Sequence, residues 1–240
     1  MDFSRTHPNI STTKKFYPVI HAEDMSGVLC NATVAFEAGA DGIFLINHSI
    51  QAVELLMIYS VIRRRFPEQF IGINLLDQSA VAAFQLMRYH SDVSALWVDN
   101  SGIGDDITRD AEKLRTEMCA SDWPGLYFAS TAFKHQQLVR DVTEAALLTS
   151  QYAHVVVTSG SETGTAPTAA KIIMMKAGVP THPLAIASGM TLENFDLFLP
   201  HADMFLVATV ISQNFTTLDA DKTRQMAKHI ADYNQKTVAL

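Results

Sequence analysis

The sequence predicts an α/β fold in which eight parallel strands close into a single (β/α)8 TIM barrel. Three observations carry that reading. Short apolar runs rich in Val, Ile and Phe alternate with helical patterns eight times, at intervals of roughly 20–30 residues, as strands buried on both faces between helices would. Three late runs end in small polar residues: Val155-Val-Val-Thr-Ser-Gly-Ser-Glu-Thr-Gly164, Pro183-Leu-Ala-Ile-Ala-Ser-Gly189 and Met204-Phe-Leu-Val-Ala-Thr209. Finally, no Gly-rich turn follows the first run, where the competing doubly wound sheet normally carries one. The length of 240 residues also approaches the roughly 250 typical of such a barrel.

Taken in order, residues 1–15 form a polar lead-in and 16–21 the first strand. Residues 24–39 read as a helix closed by Gly39, because glycine tolerates the left-handed backbone that ends a helix. Strand two covers 41–48, with an amphipathic helix over 50–65. Strands three, four and five cover 70–74, 95–100 and 126–129, followed by helices over 79–89, 105–119 and 138–152. Strand six covers 154–158, then a helix over 167–177. Strand seven covers 184–187, after which Thr191 is expected to cap a short helix. Strand eight covers 205–208, and a helix over 218–236 closes the chain. No Pro/Gly-rich linker interrupts this pattern, so residues 1–240 read as one domain.

Composition narrows the function. Hydrophobic residues make up 48% of the chain, enough for a sizeable core. A formal charge of −7 offers no general attraction to nucleic acid. Arg63-Arg-Arg65 is expected to be a solvated helix end that complements the helix dipole. No apolar run is long enough to span a bilayer and no signal region opens the chain, so a cytoplasmic protein without membrane insertion is expected. Cys30 and Cys119 are isolated and read as free thiols. Met174, Met175, Phe195 and Phe198 sit at helical spacing and read as packing residues.

Active sites of this fold lie at the carboxyl ends of the strands. Gly160, Thr163, Gly164, Ser188, Gly189, Ala208 and Thr209 there offer backbone amides and hydroxyls, the donors a phosphate needs. His21, Glu23, Asp99, Lys134 and His135 are the candidates for acid–base catalysis, since an imidazole beside a carboxylate is readily tuned towards neutrality. In an extended chain His21 and Glu23 share a face. Asn47, Asn74, Asn100 and Glu162 are candidate substrate contacts, and His48 ranks below His21 and His135. A divalent metal on His21, Glu23, Asp99 and His135 has no local ligand spacing behind it, so neither metal nor other cofactor is expected.

Val19-Ile-His21, Ala38-Gly-Ala-Asp-Gly42, Gly72-Ile-Asn-Leu-Leu76, Lys134-His135, Val157-Thr-Ser-Gly-Ser-Glu-Thr-Gly164 and Ser188-Gly-Met-Thr-Leu-Glu-Asn194 recur in that order and spacing in one family. By these pieces the chain resembles the BtpA/SgcQ-like TIM-barrel proteins. The resemblance implies a ribulose-phosphate-binding type of barrel, usually taken as an enzyme, in a family also linked to photosystem I biogenesis. The chain departs from the pattern twice. Ile46-Asn47 stands where Glu-Asn is common, which removes a carboxylate. Ala208-Thr209 stands where Gly-Thr is common, which adds a methyl group where phosphate approaches the backbone.

The expected function is therefore an enzyme of isomerase, lyase or hydrolase type acting on a small phosphorylated metabolite, a sugar or ribosyl phosphate. The alternative is a non-enzymatic metabolite-binding or assembly protein that retains the phosphate site. Apolar helical faces make a homo-oligomer the expected assembly.

Overall fold

The computed structural model describes residues 13–238, so residues 1–12 of the expected lead-in lie outside the described residues. Eight parallel strands form one closed barrel, each paired with the next and β8 with β1. They are β1 (Lys15–Ala22), β2 (Ile43–Asn47), β3 (Ile71–Asn74), β4 (Ala95–Val98), β5 (Leu126–Ser130), β6 (Val155–Thr158), β7 (Leu184–Ile186) and β8 (Met204–Val207). The intervening helices are α1 (Met25–Glu37), α2 (Ala52–Arg65), α3 (Ala80–Met87), α4 (Arg109–Cys119), α5 (Val142–Ser150) and α6 (Ala169–Gly178), and α7 (Ala220–Val238) ends the chain.

Side chains alternate along a strand, so every second residue points into the barrel. Tyr17 and Val19 of β1, Phe44 and Ile46 of β2, Ala95 and Trp97 of β4, and Leu126 and Phe128 of β5 belong to one buried interior cluster. Phe44 lies near its centre, with ring centroids 5.7 Å from Tyr17, 5.8 Å from Trp97 and 5.1 Å from Phe128. Gly72 leaves room for it, because a Cβ there would lie 2.3 Å from the Phe44 ring. The larger core lies between the sheet and the helices, where Ile20, Leu45, Ile73 and Tyr127 pack outward.

Most helices begin on a side-chain cap. Asp24, Ser79, Thr108, Asp141 and Thr168 each accept a backbone amide from the first turn. These caps also correct two expected helices. Thr108 and Asp141 start α4 and α5 several residues later than 105 and 138, and an Ile103–Ile107 bridge occupies the loop before α4. The seventh unit departs further. Thr191 and Asn194 bond each other reciprocally, and only a 3-10 turn follows at Phe195–Leu197, so Thr191 caps no α-helix. A hairpin of β9 (Ser212–Asn214) and β10 (Thr217–Leu218) precedes α7, where the helical pattern over 218–236 did not indicate one.

Two smaller expectations also change. Arg63 is not merely a solvated helix end: its guanidinium donates to the carbonyls of Pro67 and Gln69 and to Ser94 Oγ. Met175, Phe195 and Phe198 are buried, but Met174 is exposed. Among the described residues no helix is long and apolar enough to cross a membrane.

Candidate active site

The same alternation that fills the barrel places the polar side chains of its mouth. One step beyond Tyr17 and Val19 stands His21, beyond Phe44 and Ile46 stands His48, and beyond Ala95 and Trp97 stands Asp99. All three line a cavity of about 300 Å³ at the carboxyl ends of the strands. Val19, Ile46, Trp97 and Leu206 form its apolar floor, and Lys134 enters from the loop after β5. Thr163, Gly164, Ser188, Gly189, Ala208 and Thr209 complete the wall from the loops after β6, β7 and β8.

Burial pulls the His21 imidazole down to about 4, with His48 and Lys134 adding to the effect. It is therefore neutral at pH 7, and among the described residues its Nδ1 is buried without a hydrogen-bond partner. The His48 ring lies 4.7 Å from it, centroid to centroid. Burial and Lys134 also lower His48, against an opposing pull from Asp99. Burial raises the Asp99 carboxyl above the usual range, although a 2.8 Å hydrogen bond from Asn74 Nδ2 and the charge of Lys134 oppose it. Lys134 reaches towards the opposite wall, with Nζ 3.4 Å from Thr163 Oγ1.

That wall is built from loops locked onto one another. Gly164 N donates to Ser188 Oγ at 3.1 Å, and Ser188 Oγ donates to the Glu162 carbonyl at 3.2 Å. Gly189 has φ +66°, and a Cβ there would lie 2.0 Å from Ala166 N, so only glycine fits. Among the described residues the amides of Gly189 and Thr209 donate to no protein acceptor, which makes them suitable donors to an anion. Ala208 has φ −123°, an ordinary value for a residue with a side chain, and its methyl group packs on the interior cluster.

Lys171, which the sequence did not single out, underpins this arrangement. Its Nζ donates to the carbonyls of Ala132 and Ser159, and burial pulls its ammonium down to about 8. Ser159 Oγ in turn accepts from Lys134 N at 2.8 Å. The turn that carries Lys134 is thus held from behind by α6.

Several expected site residues are not in the cavity. Glu23 would share the face of His21 if the strand continued, but β1 ends at Ala22 and Asp24 caps α1, leaving Glu23 exposed. His135 adopts φ +61° and is exposed, beside Asn100 in a separate depression along the loop after β4. Asn47 has the outward parity of β2. Its amide donates to the Ile50 carbonyl and Asp77 Oδ1 and accepts from Leu76 N, so it joins the loops after β2 and β3. Asn74 is buried and reaches the site only through Asp99. Gly160 and Glu162 shape the loop after β6 without lining the cavity, and a Cβ on Gly160 would meet the Thr165 carbonyl. Among the described residues no three His, Cys, Asp or Glu side chains are grouped to hold a metal ion.

Of the functional candidates, His48 ranked low in the sequence although the alternation of Phe44, Ile46 and His48 carries it inward. Phe215, on the hairpin tip, was not singled out by the sequence; its ring centroid lies 4.0 Å from His21 and 5.2 Å from His48.

Comparison with known proteins adds a family and a fold. The model of the BtpA family matches residues 26–232. The uncharacterized protein PH1209 of Pyrococcus horikoshii is 25% identical over 204 residues, covering 76% of each chain. Phosphoribosyl anthranilate isomerase from Thermus thermophilus superposes with a TM-score of 0.65 at 14% identity, over 91% of this chain and 99% of the other. The (S)-3-O-geranylgeranylglyceryl phosphate synthase of Thermoplasma acidophilum, solved with its substrate sn-glycerol-1-phosphate, gives 0.64 at 16% identity, over 92% and 94%. At these identities the structural likeness concerns the fold.

Proposed function

The chain belongs to the BtpA family, and on that premise we propose that it is an enzyme acting on a small phosphorylated metabolite, a sugar or ribosyl phosphate. The observation that carries this reading is a single cavity that joins the loops after β6, β7 and β8 to His21, Asp99 and Lys134. In this reading the phosphate lies against the amides of Gly189 and Thr209 and the hydroxyl of Thr163, with Ser188 bracing the wall through Glu162 and Gly164. Lys134 supplies a cation between the phosphate and the reacting end. His21, neutral at pH 7, accepts a proton there, and Asp99 serves as the second acid–base group. This suits isomerase, lyase or hydrolase chemistry that relies on general acid–base proton transfer. The synthase from Thermoplasma acidophilum, which holds a glycerol phosphate on the same fold, supports the phosphate part of the reading.

Ile46 favours a second reading. It puts an apolar side chain on the cavity floor, leaving Asp99 the only carboxylate among the lining residues, and a protein that binds a phosphorylated metabolite without transforming it needs no more. Thermal shifts with inorganic phosphate, sugar phosphates and nucleotides, each with and without Mg²⁺ or Zn²⁺, test both. A ligand at about a hundred times its Kd adds about 2.7 kcal/mol of stability. No shift with any phosphorylated compound would sink the phosphate site. With a substrate in hand, His21→Ala should abolish turnover and leave binding nearly unchanged; changed affinity without any turnover in the parent protein would favour the second reading.

A further inference from the structure

Phe215 is a large aromatic residue with 57% of its surface exposed, yet it is held in place. It forms the turn between β9 and β10 with Thr216, whose amide donates to Asn214 Oδ1 at 3.0 Å. Asn31, buried on α1, grips the hairpin at two points: its Nδ2 donates to the Thr216 carbonyl, and its Oδ1 accepts from Leu218 N at 2.9 Å. The tip therefore holds the ring against His21 and His48, at the carboxyl ends of β1 and β2. There it meets His21 at an interplanar angle of 72° and His48 at 71°.

His21 and His48 line the cavity together with the apolar Val19, Ile46 and Leu206, and Phe215 packs on both imidazoles from just outside that lining. The apolar floor suits the hydroxyls of a sugar poorly. Each hydroxyl removed from water needs a hydrogen-bond partner or costs free energy, and Val19, Ile46 and Leu206 offer none, which leaves such partners to the polar lining residues, His21 and Asp99 among them. A flat unsaturated ring loses little on leaving water and gains by packing against aromatic faces and edges. The cavity of about 300 Å³ also lies at the lower end of the range of roughly 300–1,000 Å³ for small-molecule sites, so a ligand must use this side as well as the loops opposite.

We infer that the Phe215–His21–His48 rim receives an aromatic or heteroaromatic ring, so that the ligand is a phosphorylated metabolite carrying a flat ring rather than a plain sugar phosphate. The inference rests on the phosphate site proposed above and specifies the other end of its ligand. Phe215 is the specificity-determining residue.

Isothermal titration of the full chain with inorganic phosphate, ribose 5-phosphate and adenosine 5′-monophosphate separates the two readings. The ring should make adenosine 5′-monophosphate bind at least about tenfold more tightly than ribose 5-phosphate, the scale of one aromatic stacking contact. Phe215→Ala should abolish that ratio while changing the affinity for inorganic phosphate by less than about twofold, with Phe215→Tyr restoring the ratio and Phe215→Leu failing to. Equal affinities for the two ribosyl compounds in the parent protein would overturn the ring assignment and leave the phosphate site standing. So would a preference for the ring that survives Phe215→Ala in a protein with unchanged circular dichroism. Failure of all three compounds to bind would overturn the phosphate site and this inference together.

Discussion

The two ends of the barrel treat their polar groups differently. At the amino-terminal end the charged groups are paired, although among the described residues His182 Nε2 is buried without a partner. The Asp203 carboxylate receives Lys176 Nζ at 2.7 Å, Lys14 Nζ at 3.3 Å and the Leu184 amide at 3.0 Å. Asp41 accepts from Lys15 Nζ and the Phe16 amide, and Arg63 ties α2 to the loop before β3. At the carboxyl end, among the described residues, His21 Nδ1 is buried without a partner and the amides of Gly189 and Thr209 have no protein acceptor. Satisfied polar groups hold a fold together, whereas polar groups left unsatisfied in a cavity mark a place built for something else. The difference sets the ion-paired end of the barrel apart from the end where we propose the site.

The largest test of that contrast is Asp203→Ala. It leaves Lys176 and the Leu184 amide without their acceptor and should lower stability by about 3 kcal/mol in urea unfolding. Burial opposes ionisation of Asp203, but the Lys176 hydrogen bond, the Leu184 amide and the charge of Lys14 hold its carboxyl below the usual range. Its contribution is therefore present above about pH 4 and lost as pH falls through the lowered value in the fold. A loss in Asp203→Ala equal to that of an exposed control such as Asp232→Ala would erase the distinction between the ends.

A second test uses two histidines with the same displacement. Burial pulls His182, beside Asp203 at the amino-terminal end, down to about 4, as it does His21 at the mouth. Both are neutral in the fold and protonate more readily when unfolded. Their contribution is complete above about pH 6.5, the ordinary histidine value, and lost as pH falls from there to about 4. Melting curves at pH 7 and pH 5 should show a smaller acid-induced drop for His182→Leu and for His21→Leu than for the parent. Only His21→Leu should also abolish turnover of a phosphorylated substrate. Equal effects of both variants on turnover would contradict the assignment of the two ends.

The smallest effect concerns Tyr127, whose hydroxyl is fully buried between sheet and helices without a hydrogen-bond partner. We have no functional account of it. Tyr127→Phe removes an unsatisfied group and should be neutral or stabilise by up to about 1 kcal/mol. A clear destabilisation would mean that this hydroxyl has a partner, such as a buried water.

Much of the barrel was legible because its signals are local. Strand and helix patterns, and the small polar residues after β6, β7 and β8, depend on neighbours along the chain. So does the alternation that carries His21, His48 and Asp99 inward, although applying it strictly would have moved attention from Asn47 to His48. Glu23 misled because strand parity holds only while the strand lasts, and the Asp24 cap ends it. His135 misled because its left-handed backbone turns it away from the cavity, and local pattern does not report a dihedral angle.

The sequence by itself determined an eight-unit α/β barrel and the small polar loops that follow β6, β7 and β8. The tertiary structure alone decided that Phe215 crowns His21, that Lys171 props the loops behind Lys134, and that Asn74 serves Asp99. The reason is distance along the chain. Asn31 and Leu218, whose hydrogen bond fixes the aromatic hairpin, are 187 residues apart, and no periodicity connects them until the barrel closes.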